Sequence, residues 1–211
     1  MKSFIFLHTK GPDSEYYGAH FRKTFSGGDM IICANGGYDV AKLLNIKPNI
    51  IVGDMDSLLE NIIDEDIEII KYPREKDYSD FELALKEARG CKSEKIIVYG
   101  ALGGRKDHEI INLNLVVHTK TPTALIEREV EIYNVRDTLT LKNKKDSICS
   151  LASWGEGCHV CRMEGFQYCL KNEVLLPSSR GLSNLIVSKN AFISIDEGLL
   201  LVIVNNKPEI N

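Results

Sequence analysis

Two aspartates stand directly behind a short apolar segment in the first half of the chain. Residues 50–52 are β-branched and apolar, which is typical of a buried strand, and Gly53 ends the run. Asp54 and Asp56 follow two positions apart, and an extended or tightly turning backbone can aim both carboxylates at one point. This arrangement predicts a site for a divalent cation such as Mg²⁺, although the same acids could instead serve the next helix terminus.

A second group of acids lies at the start of a predicted helix. Ser79 and Glu82 form the S-x-x-E pattern of a capping box, and apolar side chains then recur at helical spacing over residues 81–88. Asp80 falls in the first turn of this helix, and Asp77 shortly precedes it. Both aspartates could serve only the helix terminus, but a cap needs fewer acids than this segment supplies. They are therefore candidates for the same cation site.

Two glycine-containing segments could hold phosphate groups. Residues 35–37 read Asn-Gly-Gly, and adjacent glycines allow a ligand to approach the backbone closely. Residues 100–104 contain three glycines and precede Arg105, while a helix predicted to begin near Asp107 turns its positive end towards the same place. The second segment matches neither a P-loop nor a dinucleotide fingerprint, and a glycine-rich turn with a surface arginine is the alternative.

All of these residues follow predicted strands, which places them on one edge of a sheet. Short β-branched runs alternate with amphipathic helical segments, which favours a parallel α/β domain, Rossmann-like in class, over residues 1–128. The predicted strands are 3–8, 30–34, 49–52, 67–71, 95–99 and 123–127, and the predicted helices are 13–25, 37–45, 57–65, 79–90 and 107–119. Ligands of such sheets bind at the carboxyl ends of the strands. The residues therefore predict Mg-dependent phosphoryl or diphosphoryl transfer from a nucleoside triphosphate, without specifying the acceptor.

The pattern changes after residue 128. Helical periodicity largely ends, and short alternating runs separated by glycine, asparagine and aspartate predict an antiparallel β domain over residues 129–211, a sandwich or a barrel. The predicted runs are 130–135, 138–141, 147–152, 159–163, 191–195 and 199–204. A module of this size has a marginal core, so we expect it to pack on the first domain or on a second subunit.

Composition narrows the class of protein. The chain is 44% hydrophobic and 27% charged with a net charge of −4, so we expect neither a nucleic-acid nor a membrane partner. The apolar run at residues 4–7 is too short for a signal peptide, which predicts a cytoplasmic protein with reduced thiols. Cys158 and Cys161 have C-x-x-C spacing, but a structural zinc site needs a further pair, and strand alternation is the favoured explanation.

Taken in order, these segments resemble the thiamine pyrophosphokinase (thiamine diphosphokinase) family. Each segment is weakly specific alone, but together they run from about residue 33 to 204 in the order of the family's motifs. The matching segments are Asn35-Gly36-Gly37, Gly53–Ser57, the stretch from Asp77 to Leu85, Gly100–His108 with Asn112, Gly165–Tyr168 and Gly181–Asn184. Within this match, Asn35, Cys169 and Leu185 stand where the family commonly has Asp, Pro and Glu.

The resemblance implies a fold, a reaction and a set of roles. It implies an N-terminal α/β domain for ATP and Mg²⁺, and a C-terminal β-sandwich that contributes to the thiamine site and to a homodimer with thiamine bound between subunits. The terminal diphosphate of ATP would move to the hydroxyethyl oxygen of thiamine and leave AMP.

The roles that the resemblance implies fall into three groups. Asp54, Asp56 and Asp80 would bind Mg²⁺, with Asp77 as a further ligand or positioning group. The ATP-side residues would be Asn35, Gly36, Gly37, Gly103, Gly104, Arg105 and His108, with Asp107 fixing the loop or assisting the hydroxyl. The thiamine-side residues would be Tyr168, Ser183 and Asn184.

Two alternatives stay open at the level of sequence. The chain could be a diphosphokinase for another hydroxymethyl heterocycle, such as a pterin, since the ATP and Mg²⁺ chemistry would be shared. It could also be a non-catalytic module that binds nucleotide or thiamine. The retention of four acids argues against pure binding, because clustered like charges repel unless a cation is present.

Overall fold

The computed structural model describes residues 1–55 and 66–206 and divides the chain into two compact units. The first contains Met1–Leu115 and Leu125–Glu127, and the second contains Val116–Ala124 and Arg128–Asn211. The predicted boundary after residue 128, and the division of function across it, stay predictions. Among the described residues, no helix combines the length and the apolar character that crossing a membrane requires.

The first unit alternates strands with helices. The strands are β1 Lys2–Phe6, β2 Met30–Ala34, β3 Ile50–Gly53, β4 Glu68–Lys71, β5 Lys95–Tyr99 and β6 Thr123–Ile126. The helices are α1 Ser14–Thr24, α2 Gly37–Leu43, α3 Asp80–Gly90 and α4 Lys106–His118. The last turn of α4 and the first residues of β6 are counted with the second unit, although both elements belong mainly to this α/β part. The predicted helix at 57–65 lies outside the described residues. All six predicted strands form, so the expected α/β class of this part is confirmed.

The sheet of the first unit has the order β6-β5-β1-β2-β3-β4. The pairs β1–β2, β1–β5, β2–β3 and β3–β4 are all parallel. The chain moves outward from β1 to β4 and then returns to the other side of β1 to form β5, which creates a switch in strand order beside β1. Loops diverge at such a switch and leave a crevice at the carboxyl ends of the strands.

Burial and capping explain why these elements form. The side chains of Phe4, Ile5 and Phe6 in β1 are fully buried, as expected for a central parallel strand covered on both faces. Helix α1 packs Phe21 edge-on against Phe4, with 5.0 Å between ring centroids. The predicted capping residue of α3 is present, since Ser79 accepts a hydrogen bond from the Glu82 backbone N–H at 3.2 Å.

The second unit is antiparallel. Its strands are β7 Val130–Val135, β8 Thr138–Lys142, β9 Ile148–Glu164, β10 Lys171–Leu175, β11 Asn184–Leu185 and β12 Asn190–Asn205, with a 3-10 turn at Ser179–Gly181. Strands β9 and β12 pair along most of their length, β7 and β8 flank the two ends of β12, and β10 and β11 flank β9.

Two long strands replace four predicted short ones in this unit. The runs predicted at 147–152 and 159–163 are both parts of β9, and those at 191–195 and 199–204 are both parts of β12. Glycines in this region bend the strands instead of ending them: Gly157 and Gly198 have φ of 120° and 90°. An added Cβ at Gly198 would lie 2.2 Å from the Gly157 carbonyl oxygen, so the paired strands need glycine there.

Both halves of the two long strands contribute to a single core. Cys149 and Val160 of β9 belong to the same buried cluster as Ile193 and Val202 of β12. Strands that send side chains from both ends into one core must bend over it, which gives two packed layers. The predicted fold class, an N-terminal parallel α/β part followed by a C-terminal antiparallel β-sandwich, is therefore confirmed.

Candidate active site

A cavity of about 770 Å³ lies at the carboxyl ends of β1, β2 and β5. It coincides with the switch in strand order, where loops after neighbouring strands diverge. Its lining includes seven of the predicted site residues: Asn35, Gly36, Asp80, Gly103, Gly104, Arg105 and His108. The structure thus brings together residues from three separate segments of the sequence on one edge of the sheet.

Asn35 holds two of the predicted acids together. Its Nδ2 donates to Oδ1 of Asp54 at 2.9 Å and, more weakly, to Oδ2 of Asp80 at 3.4 Å. The backbone at Asn35 is left-handed, with φ of 45°, a conformation that asparagine tolerates better than most residues. Gly53 makes room for this arrangement, because a Cβ there would lie 2.9 Å from that of Asn35.

The oxygens of this cluster suit a hard divalent cation. Within the described part of the chain, Oδ1 of Asn35 is buried and has no hydrogen-bond partner, which is costly for a polar atom that nothing binds. Oδ1 of Asp80 is also buried and lies 3.0 Å from Nζ of Lys76, an ion pair outside hydrogen-bond geometry. Carboxylate and amide oxygens are the ligands that Mg²⁺ takes in proteins. The residues present therefore fit Mg²⁺.

Two of the predicted acids cannot be assigned to this cluster from the described residues. Asp56 lies outside the described residues. Asp77 is exposed on the segment before α3 and is not among the residues that line the cavity. Their proposed roles stay predictions.

Gly37 has a structural reason to be glycine. It is buried at the start of α2, and it does not belong to the cavity lining. A Cβ at this position would lie 1.9 Å from the carbonyl oxygen of Phe6, so the helix can approach β1 only without a side chain. Of the two adjacent glycines, Gly36 lines the cavity, whereas Gly37 allows α2 to pack against β1.

The glycine loop after β5 is anchored by a half-buried acid that the sequence analysis did not identify. Oε1 of Glu127 accepts hydrogen bonds from the backbone N–H groups of Gly100 at 3.2 Å and Leu102 at 3.4 Å, and the Tyr17 hydroxyl donates to Oε2. Burial raises the pKa of the Glu127 carboxyl. Asn112 supports the same loop by donating to the Ala101 carbonyl at 2.9 Å. The sequence feature that could have identified Glu127 is its position as an acid directly after the apolar strand β6.

The donors of the loop are already engaged by carboxylates. Oε1 of Glu109 accepts the Gly103 backbone N–H at 2.6 Å, and Oε2 lies 2.7 Å from Nζ of Lys106. The hydrogen bond from Lys106 lowers the pKa of the Glu109 carboxyl. Glu109 lines the cavity, so its carboxylate occupies the position of an anion on this loop. A phosphate that uses the same N–H group must replace it.

Arg105 is paired with a neighbour in the same way. Its Nε donates to Oδ1 of Asp107 at 3.1 Å, and its Nη2 donates to Oδ2, a bidentate ion pair on the protein surface. This pairing lowers the pKa of the Asp107 carboxyl to about 2. Asp107 does not line the cavity. A carboxyl with so low a pKa is a poor general base near neutrality, so the contact favours an orienting role for Asp107.

The segment after β1 also borders the cavity. His8, Thr9 and Lys10 contribute to its lining, although the sequence reasoning assigned them no role. The ring of His8 packs so close to Gly36 that a Cβ there would be 2.9 Å from its Nδ1. These residues directly follow β1, as the predicted site residues directly follow other strands. The same criterion could therefore have identified them from the sequence.

The second unit contains a smaller cavity of about 320 Å³, and two predicted thiamine-side residues line it. Tyr168 has 68% of its surface exposed, whereas Asn184 is buried. The Asn184 side chain accepts the Tyr168 N–H at 3.1 Å and donates to the Tyr168 carbonyl at 2.6 Å, so it fixes the backbone that presents the tyrosine. Ser183 does not line this cavity, and its backbone N–H donates to Oγ of Ser150 at 3.1 Å.

Two protein-family models match consecutive parts of the chain. The model "Thiamin pyrophosphokinase, catalytic domain" matches residues 21–126, and the model "Thiamin pyrophosphokinase, vitamin B1 binding domain" matches residues 137–200. The first match includes the rim residues from Asn35 to His108, and the second includes Tyr168, Ser183 and Asn184.

Individual proteins and structures agree with this match. Thiamine pyrophosphokinase of Bacillus subtilis is 28% identical over 138 residues, which are 63% of this chain and 64% of that protein. Thiamine pyrophosphokinase 1 of Arabidopsis thaliana is 26% identical over 82% of this chain and 76% of its own length. The crystal structure of thiamin pyrophosphokinase from Geobacillus thermodenitrificans covers 100% of both chains with a TM-score of 0.82 at 22% identity, which supports the same fold.

Proposed function

Because the chain belongs to the thiamin pyrophosphokinase family, we propose that it transfers the terminal diphosphate of ATP to the hydroxyethyl oxygen of thiamine. The hydroxyl oxygen attacks the β-phosphorus and loses its proton, the bond from that phosphorus to the α-phosphate oxygen breaks, and AMP leaves. The products are AMP and thiamine diphosphate. Catalysis of this kind depends mainly on positioning the two substrates and neutralising charge.

One observation carries the chemical part of the proposal. The oxygen cluster around Asn35 and the glycine loop before Arg105 border a single cavity at the switch in strand order. A site that combines cation ligands with phosphate donors suits the triphosphate of ATP.

We propose the following roles on the ATP side. Asp54, Asp80 and the side-chain oxygen of Asn35 would hold Mg²⁺, which when bound screens the negative charge of the phosphates. Asp56 would complete this set, with Asp77 nearby. Arg105 and the N–H groups of Gly103 and Gly104 would orient the phosphates, with Asp107 holding the guanidinium in place. Gly36, Gly37 and His108 would shape the pocket for the nucleotide.

Tyr168, Ser183 and Asn184 form the proposed thiamine side. The match to a vitamin B1 binding domain over residues 137–200 supports this assignment.

A homodimer also belongs to the proposal, and the second unit exposes several large apolar side chains that an interface would cover. These are Ile148, Tyr168, Val174, Leu176, Leu182 and Val187. Light scattering during size-exclusion chromatography tests the dimer, and a mass of one chain would refute it.

The decisive experiment is AMP release from Mg-ATP with thiamine, with a hydroxymethyl pterin, and with neither. We expect AMP only with thiamine, in a one-to-one ratio to thiamine diphosphate. The matched B1-binding domain disfavours the pterin alternative, and turnover with the pterin alone would reinstate it. Binding of nucleotide without turnover in a folded protein would instead support the non-catalytic module.

The proposed cation ligands are tested by substitution in the same assay. Asp54→Asn preserves the size of the side chain and removes its charge, so it should abolish Mg-dependent AMP release while the far-ultraviolet circular dichroism spectrum is unchanged. A near-normal rate in this variant would refute the assignment of Asp54.

A further inference from the structure

Three side chains with different donor atoms converge on the second unit, among residues for which the proposed reaction has no use. His159 and Cys161 lie on β9, and Asp196 lies on the paired strand β12. One ligand atom from each, a nitrogen, a sulfur and an oxygen, lie within 4.8 Å of one another. Nδ1 of His159 is 2.6 Å from Oδ1 of Asp196, and Sγ of Cys161 lies beside the same pair.

Consecutive irregularities in the β9–β12 ladder create this convergence. Ser194 pairs with Arg162 and Ile195 with Val160, so Cys161 is an extra residue on β9. Glu197 pairs with His159, so Asp196 is an extra residue on β12. Such bulges leave a residue outside the ladder and redirect its side chain, and they recur at functional sites. Two bulges in opposite strands restore the register and bring both extra residues to the same place.

The backbone beneath these residues is firmly held. The neighbouring Cys158 and Val160 side chains belong to the buried core of the unit, while His159 and Cys161 are half-buried and Asp196 is exposed. Cys158 is part of that core and does not belong to the group of ligand atoms around Cys161. The neighbours of Cys161 are instead a histidine and an aspartate, which the linear spacing did not reveal.

The donor set selects a class of metal ion. Thiolate, imidazole and carboxylate together are typical ligands of Zn²⁺, whereas Mg²⁺ and Ca²⁺ prefer oxygen alone. The exposure of Asp196 leaves one side open to solvent, so a water molecule can complete a tetrahedral shell.

We propose that His159, Cys161 and Asp196 form a zinc site that ties β9 to β12, separate from the Mg²⁺ cluster of the first unit. Binding replaces the thiol proton of Cys161 and the hydrogen bond between His159 and Asp196 by bonds to the metal. The ligands come from two paired strands, so the ion acts as a cross-link across the ladder. The proposal does not depend on the reaction proposed above.

Cobalt provides a direct test, because Co²⁺ replaces Zn²⁺ at tetrahedral sites and gives a thiolate-to-metal charge-transfer band only with a sulfur ligand. We expect one equivalent of Co²⁺ to produce this band in the full chain, and one equivalent of Zn²⁺ to remove it. The oxygen cluster at Asn35 contains no sulfur and cannot produce the signal. Zn²⁺ should also raise the melting temperature.

Matched variants identify the ligands. Cys161→Ser should abolish the cobalt band, whereas Cys91→Ser, which removes a thiol from the other unit, should leave it unchanged. Asp196→Asn should weaken Zn²⁺ binding by about 10-fold or more, since even the loss of an outer-shell partner costs about 10- to 100-fold. Circular dichroism establishes that each variant is folded. Absence of the band in the wild type, or its persistence in Cys161→Ser, would overturn the proposal.

Discussion

Replacing Glu109 by Gln should strengthen ATP binding, although it removes a group from the cavity wall. The Glu109 carboxylate accepts the Gly103 N–H at 2.6 Å, which is one of the donors proposed for phosphate. ATP must displace this contact and also approach a negative charge. Glutamine keeps the length of the side chain and can still accept from Gly103 through its amide oxygen, so the loop keeps its support while the repulsion is removed.

The magnitude follows from the environment of the carboxylate. A hydrogen bond to a charged group contributes about 1.5–3 kcal/mol, and glutamine retains part of it. The Lys106 side chain is 82% exposed against 15% for Glu109, so their ion pair adds at most about 1 kcal/mol. We expect a net gain of about 1–2 kcal/mol, which corresponds to a dissociation constant about 5- to 30-fold lower.

Isothermal titration calorimetry with Mg-ATP and without thiamine measures this change in the absence of turnover. Glu94→Gln is the matched control, because it changes the net charge equally at an exposed position before β5, at the opposite end of that strand. The advantage of Glu109→Gln over this control should shrink as salt is added.

Two outcomes of the titration have different meanings. If Glu109→Gln binds ATP no better than Glu94→Gln, the carboxylate does not compete with phosphate, and the reasoning about the loop is refuted. If neither the wild type nor the variants bind ATP, the proposed nucleotide site itself fails.

Three further predictions follow from contacts in the first unit. Asp80→Asn should lower Mg-dependent AMP formation at least about 100-fold, since the metal supplies several kcal/mol of charge stabilisation. Gly37→Ala should lower the free energy of unfolding in urea by about 3 kcal/mol or more, because its Cβ would lie 1.9 Å from the Phe6 carbonyl oxygen. The Asp107 carboxyl should titrate near pH 2 by NMR and move towards its ordinary value of 3.8 in Arg105→Ala.

Each of these predictions has its own control. Circular dichroism must show that Asp80→Asn is folded, and an unchanged rate would contradict its role as a ligand. Gly27→Ala should be nearly neutral, because an added Cβ there meets no described atom within 4 Å. Because the Asp107 pKa is lowered, the Arg105–Asp107 pair contributes fully above about pH 4 and is lost as pH falls through about 2. An Asp107 pKa that is the same in the wild type and in Arg105→Ala would refute the pairing.

Local patterns in the sequence were sufficient to predict the first unit. Most of its strands are short runs of buried apolar residues, α1 and α3 carry amphipathic stripes, and Ser79 caps α3 as the S-x-x-E pattern indicates. These features depend on neighbours within a few positions, which linear spacing represents directly. Reliance on local patterns also explains why β9 and β12 were each predicted as two short strands. Glycine usually ends a strand, but here it bends these two strands without ending them.

The position of each site segment directly after a predicted strand also predicted that these segments share one edge of the sheet, because parallel strands present their carboxyl ends at one edge. The roles of the individual site residues remain proposals for the assays above.

The family, the class of fold and the segments that meet at the cavity could all be predicted from the sequence, because they follow from local periodicity and ordered motifs. Only the folded chain brings Glu127 to the glycine loop 25 or more positions away, and only the paired bulges bring Asp196 to within hydrogen-bond distance of His159, 37 positions earlier. Such contacts depend on how distant strands register against one another. The spacing of residues along the chain does not specify that register directly.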